Sequence, residues 1–548
     1  MTAPPLPVAP LHRLFPGIET VRPRYHALTD DYREMMTAVE LDALCRMAAY
    51  WNPDRLFELG TYLGGSALQL AANTDAEVHT LDLPPKDAEK PIWDEEIDVY
   101  PDEPGRKFHG TPFEGRIHQI YGDSQTYDYT EHLGRYGMAF VDACHHYEFV
   151  KVDSANALRV VRPGGLVVWH DYADYAPGVV QALDELAEKE TLWHLEGTSL
   201  VVHFVSRFRD AAEPPAFASV IVPTRNRGPA LSDALESLVG QDYPADRFEI
   251  LAVDNGSTDD TKAVIEAAQA AHPGCALRYV LEPEPGLLSG RHRGASEAQG
   301  SILVFVDDDI VAHPHWLAEV VAGFDDPDVH CVGGRSHALY KGEPPAWIER
   351  FWARRDDERW LGYLSLIDLG ERSKDVDPMF VWGLNFAVRK STFFDVGGTH
   401  PDCIPKSLQR YQGDGETGLS LRLKARGLKA RYQPGARVWH VIEPRRMTVK
   451  AWEERQFYQG VCDSFARLRE NGGEPTGPFK APWSWPRCPF SRSRRAIRRR
   501  LERAQQRGFA FHQREVAGDP ALREWVLRDD YLDYRLPEGW RRYLGESS

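Results

Sequence analysis

The sequence predicts an α/β protein built from two nucleotide-binding-type units and a C-terminal helical extension. Three observations carry that prediction. Short apolar strands recur, each ending in glycine or a carboxylate and each followed by a helical stretch, the pattern of mainly parallel sheets that bind ligands at their carboxyl ends. The pattern runs twice, on either side of the polar stretch Ser206 to Ala216, which ends in two prolines and reads as a linker. The chain of 548 residues is too long for one core and suits two to four domains.

Composition narrows the class. A hydrophobic content of 42% and a charged content of 27% are those of globular protein. The net charge of -17 argues against general nucleic-acid binding. No apolar run approaches the ~20 residues needed to span a bilayer. The Pro-rich start, Met1 to Pro10, lacks the basic and apolar regions of a signal peptide. Seven dispersed cysteines without a CxxC pair fit reduced thiols, so a cytoplasmic protein is expected.

Taken in order, residues 1–30 read as an arm, and 31–50 as a helix with Met35, Met36, Val39, Leu44 and Met47 as its apolar stripe. The strand Arg55 to Leu59 runs into Gly60, Gly64 and Gly65, then into a helix over Ala67–Ala72. Glycines at such a junction let backbone approach a ligand, or serve only tight packing. The strand Glu77 to Leu81 ends in Asp82, where an acid can hold a ribose diol. Gly137 to Val141 ends in Asp142, followed by His145, His146 and Tyr147. A turn over Val160 to Gly165 precedes the strand Leu166 to Trp169, which ends in His170-Asp171. A helix over Gln181–Lys189 and a strand over Ser199–Val205 close the unit.

Over residues 31–205 the chain resembles the class I S-adenosylmethionine-dependent methyltransferases. The carriers are Glu58-x-Gly60-x-x-x-Gly64, Asp82, Gly122-Asp123-Ser124, Asp142 and Arg162-Pro163-Gly164-Gly165. The resemblance implies a Rossmann-like sheet in which Gly60 lines the methionine portion of the cofactor, Asp82 binds its ribose and Asp123 lies near its adenine. Glu58, Gly64, Ser66 and Asp142 complete the expected cofactor set. Asp142, His170 and Asp171 either share one Mg²⁺, as in O-methyltransferases of the catechol and sugar types, or only hydrogen-bond at the sheet's edge. With an ion there, His145 is a candidate base. His170 stands where the sugar type has an acid. A dinucleotide-dependent oxidoreductase is the rival reading, and the missing GxGxxG spacing speaks against it.

After the linker, the strand Phe217 to Val222 meets Pro223-Thr224-Arg225-Asn226-Arg227, then a helix through Leu231, Leu235 and Leu238. The strand Phe248 to Val253 ends in Asp254, and a polar turn holds Gly286, Ser289, Gly290, Arg291, His292 and Arg293. The buried-type strand Ile302 to Val306 ends in Asp307-Asp308-Asp309. Three adjacent carboxylates must reach water or a cation, and a divalent ion is expected. Period-two alternation predicts Asp307 and Asp309 on one side, with Asp308 opposed.

Residues 217–450 resemble a family 2 glycosyltransferase with the GT-A fold. Its motifs come in the expected order: Val222 to Arg227, Val253 to Asp259, Ser289 to Gly294, Asp307-Asp308-Asp309, Trp382-Gly383-Leu384-Asn385, and Gly413-Asp414-Gly415-Glu416-Thr417. The resemblance implies a nucleotide-diphosphate-sugar donor held by Pro223, Thr224, Arg225, Asp254, Asp307 and Asp308. Arg291 would meet the diphosphate, and Asp309 with Asp307 a Mn²⁺ or Mg²⁺. Glu416 is the expected base, with Asp414 as its alternative. Trp382, Gly383 and Asn385 are expected at the acceptor. His440 is either structural or a further ligand. Arg225 and Arg227 rank below Arg291, as solvated surface.

Residues 451–548 read as a helical, Arg-rich extension. Arg492, Arg494, Arg495, Arg498, Arg499, Arg500, Arg503 and Arg507 form either a salt-bridged solvated face or a cationic face for anionic lipid at the membrane's inner surface or a phosphate-linked acceptor. Trp525, Tyr531, Tyr534 and Trp540 are expected to pack onto the body. The functional expectation is a bifunctional enzyme. It would transfer a sugar with inversion to a glycan, glycolipid or small-molecule hydroxyl, and O-methylate a sugar or related hydroxyl, in surface polysaccharide, glycolipid or glycoside synthesis. The alternative keeps the glycosyltransferase and makes the first unit an inactive S-adenosylmethionine-binding module.

Overall fold

A computed structural model describes residues 6–28, 36–84, 103–208, 213–475 and 492–544, with backbone alone for 492–495 and 544. Met35, Cys488, residues 209–212 of the linker and the side chains of Arg492, Arg494 and Arg495 lie outside the described residues. Two compact units divide between Glu213 and Pro214, inside the stretch read as a linker.

Unit 1 runs β1 (Val8–Ala9), α1 (Leu11–Leu14), α2 (Ala38–Trp51), β2 (Arg55–Leu59), α3 (Gly65–Asn73), β3 (Glu77–Asp82), β4 (Ile117–Tyr121), β5 (Tyr136–Val141), α4 (Tyr147–Val160), β6 (Val161–Trp169), α5 (Pro177–Leu186), β7 (Trp193–Leu195) and β8 (Val201–Phe204). The sheet order is β1-β7-β8-β6-β5-β2-β3-β4. Strands β2 to β6 are parallel, and β8 is antiparallel to β6. The chain builds outward from β2 to β4, then crosses back to lay β5 on the other side of β2. That reversal is a topological switch point, where a crevice opens past the strand ends. Gly60 and Asp142 leave the sheet side by side there. Gly60 has φ +98, and a Cβ on it would lie 2.0 Å from the Asp142 carbonyl oxygen.

Three expectations are corrected in this unit. The segment read as an arm supplies the edge strand β1, paired with β7, and buries Leu6, Phe15 and Ile18. Helix α2 starts after Thr37, whose side chain forms a capping box with Glu40. Val39 is 62% exposed, so the buried stripe is Leu41, Leu44, Cys45, Met47 and Ala48 instead. The turn expected over Val160 to Gly165 is the start of β6, with a register shift opposite Tyr136 and Met138.

Unit 2 runs β9 (Ala218–Thr224), α6 (Gly228–Val239), β10 (Phe248–Asp254), α7 (Thr261–Ala271), β11 (Leu277–Leu281), α8 (Leu287–Glu297), β12 (Ile302–Val306), β13 (Ile310–Ala312), α9 (Trp316–Ala322), β14 (Val329–Tyr340), β15 (Ala353–Arg355), β16 (Glu358–Leu361), β17 (Leu366–Asp368), β18 (Lys374–Val376), β19 (Asn385–Arg389), α10 (Lys390–Asp395), α11 (Glu416–Ala425), β20 (Lys429–Ile442), α12 (Val449–Glu470), α13 (Arg492–Gly518) and α14 (Pro520–Leu527). Strands β11-β10-β9-β12 are parallel, and β19 pairs antiparallel with both β12 and β14. The switch point falls between β9 and β12, and both candidate loops leave the sheet there. Phe305 on β12 stacks on Phe386 of β19 at 4.8 Å, locking the two strands whose ends carry the site.

The extension packs as expected. Helices α12 and α13 meet through glycines: a Cβ on Gly460 would lie 1.9 Å from the Gln505 carbonyl oxygen, and one on Gly508 1.9 Å from that of Phe457. Phe465, Val516, Leu522, Trp525 and Tyr531 bury Ile404, Leu408 and Tyr411 of the loop that leads to α11. On α13, Arg500 pairs with Glu453 and Arg498 with Glu502.

Candidate functional site

In unit 2 the three aspartates form the turn between β12 and β13, not a continued strand. Alternation therefore does not hold, and Asp308 and Asp309 share Arg227. Asp308 Oδ2 accepts from the Thr224 hydroxyl at 2.7 Å, joining the two strand ends of the switch point. Burial, opposed by Arg227 and abetted by Asp309, pushes the Asp308 carboxyl up to about 6. Asp309 Oδ2 accepts from Arg446 at 3.0 Å and from Arg227 at 3.2 Å. Burial works against its charge, but Arg227 and Arg446 outweigh that and hold its carboxyl below the usual range.

His440 Nδ1 lies 2.7 Å from the Leu364 carbonyl, so that nitrogen carries the proton. Its Nε2 lone pair then faces Asp309 Oδ1 at 3.4 Å. This donor pair, a carboxylate and an imidazole nitrogen, fits a divalent cation. The Arg446 guanidinium sits between the two groups, donating to His440 Nε2 at 2.7 Å as well as to Asp309.

Arg291, 2% exposed, ties the acids to the expected base. Its Nη1 lies 3.3 Å from Glu416 Oε2, its Nη2 donates to the Gly383 carbonyl at 3.0 Å, and its Nη2 is 3.8 Å from Asp307 Oδ1. Glu416 opens α11, and its Oε1 accepts from the Gly383 amide at 3.2 Å. Burial would favour the neutral acid, yet Arg291 and the amides keep the Glu416 carboxyl below its ordinary value.

Other expected residues divide. Pro223 and Thr224 end β9 beside the acids, and Gly290 makes room for the Pro223 ring. Asp254 is buried, accepting from the Ser257 amide at 2.8 Å and the Tyr279 hydroxyl at 2.9 Å. Trp382 is half-buried, its indole donating to the Met379 carbonyl at 3.1 Å. Arg225 is exposed. Two expectations are corrected. Asp414 turns away from the cleft, 2.5 Å from His400 Nδ1, and so is no alternative base. Asn385 is 2% exposed and accepts from Trp316 while donating to the Ala436 carbonyl, so it braces β19 instead of meeting an acceptor. Sequence reading also missed Arg446 and Asp402, and undervalued Arg227. Arg227 had a signal in its place within the β9 motif. Asp402 had none, although burial and Glu416 push its carboxyl up to about 6.

In unit 1 the glycine loop is braced by the chain itself. Gly64 has φ +80, and a Cβ there would lie 2.6 Å from the Phe108 ring. Asp82 Oδ2 accepts from the amides of Thr61 and Tyr62 at 2.9 and 2.7 Å, which fixes the loop against β3. Glu58 is corrected as a direct cofactor contact. It is fully buried, accepts from the Thr80 hydroxyl at 2.6 Å, and burial pushes its carboxyl up to about 8. Ser66 stands half-buried in the first turn of α3. Asp82, the last residue of β3, and Asp123, two residues past β4, lie half-buried at the carboxyl ends of their strands, a placement that fits a nucleoside-bearing cofactor.

At the ends of β5 and β6, Asp142, His170 and Asp171 present ligand atoms within 4.8 Å of one another. His145 Nε2 lies 2.8 Å from Asp171 Oδ2, and the Tyr175 hydroxyl donates to Asp171 Oδ1 at 2.7 Å. Asp171 holds φ +65, a left-handed backbone that favours glycine. Burial disfavours a charged His170, but Asp142, Asp171 and Glu40 more than offset it and raise the imidazole well above its usual range.

Comparison with known proteins gives two family matches. Residues 57–172 match a family described as a methyltransferase domain, and residues 219–394 match glycosyl transferase family 2. Glycosyltransferase AglE of Haloferax volcanii is 34% identical over 125 residues, 23% of this chain and 40% of that protein. Validoxylamine A glucosyltransferase of Streptomyces hygroscopicus subsp. jinggangensis is 26% identical over 269 residues, 45% of this chain and 60% of its own length. The chain thus spans less than two thirds of each. A solved mannosyltransferase from Pyrobaculum calidifontis, in complex with GDP-Man and Mn²⁺, is 19% identical with a TM-score of 0.35, covering 61% of this chain and 84% of its own. With its motifs on these two sheets, the chain joins a methyltransferase domain to a domain of glycosyl transferase family 2.

Proposed function

We propose that the protein is bifunctional. Unit 2 transfers a sugar with inversion from a nucleotide-diphosphate donor to an acceptor hydroxyl, and unit 1 O-methylates a sugar or related hydroxyl using S-adenosylmethionine. One observation supports the first half best: Glu416 and Asp307 both face Arg291, next to the acid turn that carries Asp309. A carboxylate kept ionised by Arg291 and by the Gly383 amide is suited to take the proton of an attacking hydroxyl. Arg291, Arg227 and Arg446 supply positive charge for a departing diphosphate. A Mn²⁺ or Mg²⁺ on Asp309 and His440 would add Lewis-acid stabilisation of that leaving group. Pro223, Thr224 and Asp254 would hold the nucleoside, and Trp382 with Gly383 the acceptor.

For unit 1, Asp82 and Asp123 would hold S-adenosylmethionine, which supplies the methyl group. His145, oriented by Asp171, would remove the acceptor's proton. The acceptors we assign are glycans, glycolipids or small-molecule glycosides, in a cytoplasmic setting where both cosubstrates occur. The paired arginines of α13 support the salt-bridged reading of that face over a lipid-binding one. Donor turnover and S-adenosylmethionine calorimetry test the two halves separately. Glu416→Gln should abolish transfer while leaving donor binding intact. Equal turnover by wild type and Asp309→Ala would refute metal-assisted transfer, and failure to bind S-adenosylmethionine would refute methylation.

A further inference from the structure

The cluster past β5 and β6 differs in its donor atoms from a cation site made of carboxylates alone. His170 Nδ1 lies 3.2 Å from Asp142 Oδ1 and 3.0 Å from Asp171 Oδ2. The His170 side chain is 3% exposed, so the ring cannot swing out to water without opening the core. Its other nitrogen, Nε2, is buried and has no hydrogen-bond partner. Glu40 Oε2 stands 3.6 Å from it.

Glu40 is itself held from both sides. Its Oε1 accepts from the Ser199 amide and hydroxyl at 2.7 and 2.8 Å. Its Oε2 accepts from the Thr37 amide and hydroxyl at 2.9 and 2.7 Å. A carboxylate fixed there can hold the proton on Nε2, so that a cation entering between Asp142 and Asp171 would displace the proton from Nδ1 and take up its lone pair. Outer carboxylates orient metal-binding imidazoles in this way. The inner nitrogen then matters for the choice of ion. Mg²⁺ takes oxygen ligands and keeps several waters, whereas imidazole suits first-row transition metals.

We propose that unit 1 selects a divalent transition-metal ion over Mg²⁺, bound by Asp142, His170 Nδ1 and Asp171, with Glu40 as the positioning residue that turns the His170 ring. The proposal rests on the methyltransferase reading of unit 1 together with the metal-sharing alternative that the family resemblance offers for it, and replaces Mg²⁺ as the ion.

The test uses the full chain carrying Asp309→Ala, which removes the competing carboxylate of unit 2. Calorimetry with Co²⁺ and with Mg²⁺ gives the selectivity, and the visible spectrum of bound Co²⁺ reports nitrogen ligation. The expected result is Co²⁺ binding tighter than Mg²⁺ by a ratio that falls about tenfold or more in His170→Asp, which restores oxygen ligands alone. Glu40→Gln should weaken Co²⁺ about 10- to 100-fold and shift its spectrum. Should Glu40→Gln fail to fold by circular dichroism, the His170→Asp ratio decides. A Co²⁺/Mg²⁺ ratio unchanged by His170→Asp overturns the proposal but leaves metal-assisted methylation standing. No divalent binding at all overturns both.

Discussion

Gly383 shows how tightly the unit 2 site is drawn. A Cβ on it would lie 2.6 Å from an Arg291 guanidinium nitrogen and 2.8 Å from the Glu416 carboxylate. Gly383→Ala should therefore cut transfer by about 10²-fold, because small misplacements of reacting groups are costly. The melting temperature should change little, since the clash is with side chains at a cleft. Glu416→Gln and Asp414→Asn make a sharper pair. The first should lower kcat by about 10²–10⁴ with stability kept. The second removes a buried charge-assisted bond to His400, and should cost about 1.5–3 kcal/mol in urea unfolding while sparing donor binding. Both acids stand in one short motif, so spacing brought both to notice. Spacing does not say which way a side chain turns, and Asp414 and Asn385 turn into packing.

Among the elements, α2 and the α12–α13 pair carry the clearest consequences. Thr37→Ala removes the hydroxyl of the capping box, and should cost about 1 kcal/mol of unit 1 stability in urea unfolding. Gly508 touches the Phe457 backbone, which cannot yield as a side chain can. Gly508→Ala should destabilise by about 1–3 kcal/mol as the helices are forced apart. Transfer should fall with it, because these helices bury the loop from Ile404 to Tyr411 that precedes Glu416. A transfer rate unchanged in a destabilised Gly508→Ala would show that the extension does not support the site. The helical character of the extension was legible in the sequence. The close contact was not, because a glycine inside a helical pattern carries no mark of what it faces.

Over the whole of unit 2, buried imidazoles and buried carboxyls pull against each other in acid. Burial lowers His292 to about 3, His337 to about 3 and His512 to about 4. An unfolded chain protonates such groups near ~6.5, so below that pH they favour unfolding. Burial raises Asp307, Asp308 and Asp402, which bind protons more readily folded than unfolded and so oppose that loss over the same window. His337→Phe, which removes one imidazole, should therefore lose less stability than wild type between about pH 7.5 and 5 in thermal unfolding, and an equal loss would contradict this.

Local pattern by itself determined the two α/β units, the polar break between them, the strand-end acids and the order of the motifs. These follow from periodicity and from the few residue types that can end a buried strand. Only the tertiary structure decided the partners. Arg446 reaches Asp309 across 137 positions, and Glu40 holds Ser199 across 159. Such contacts depend on where the sheet reverses and how each loop closes, which no short stretch of residues encodes.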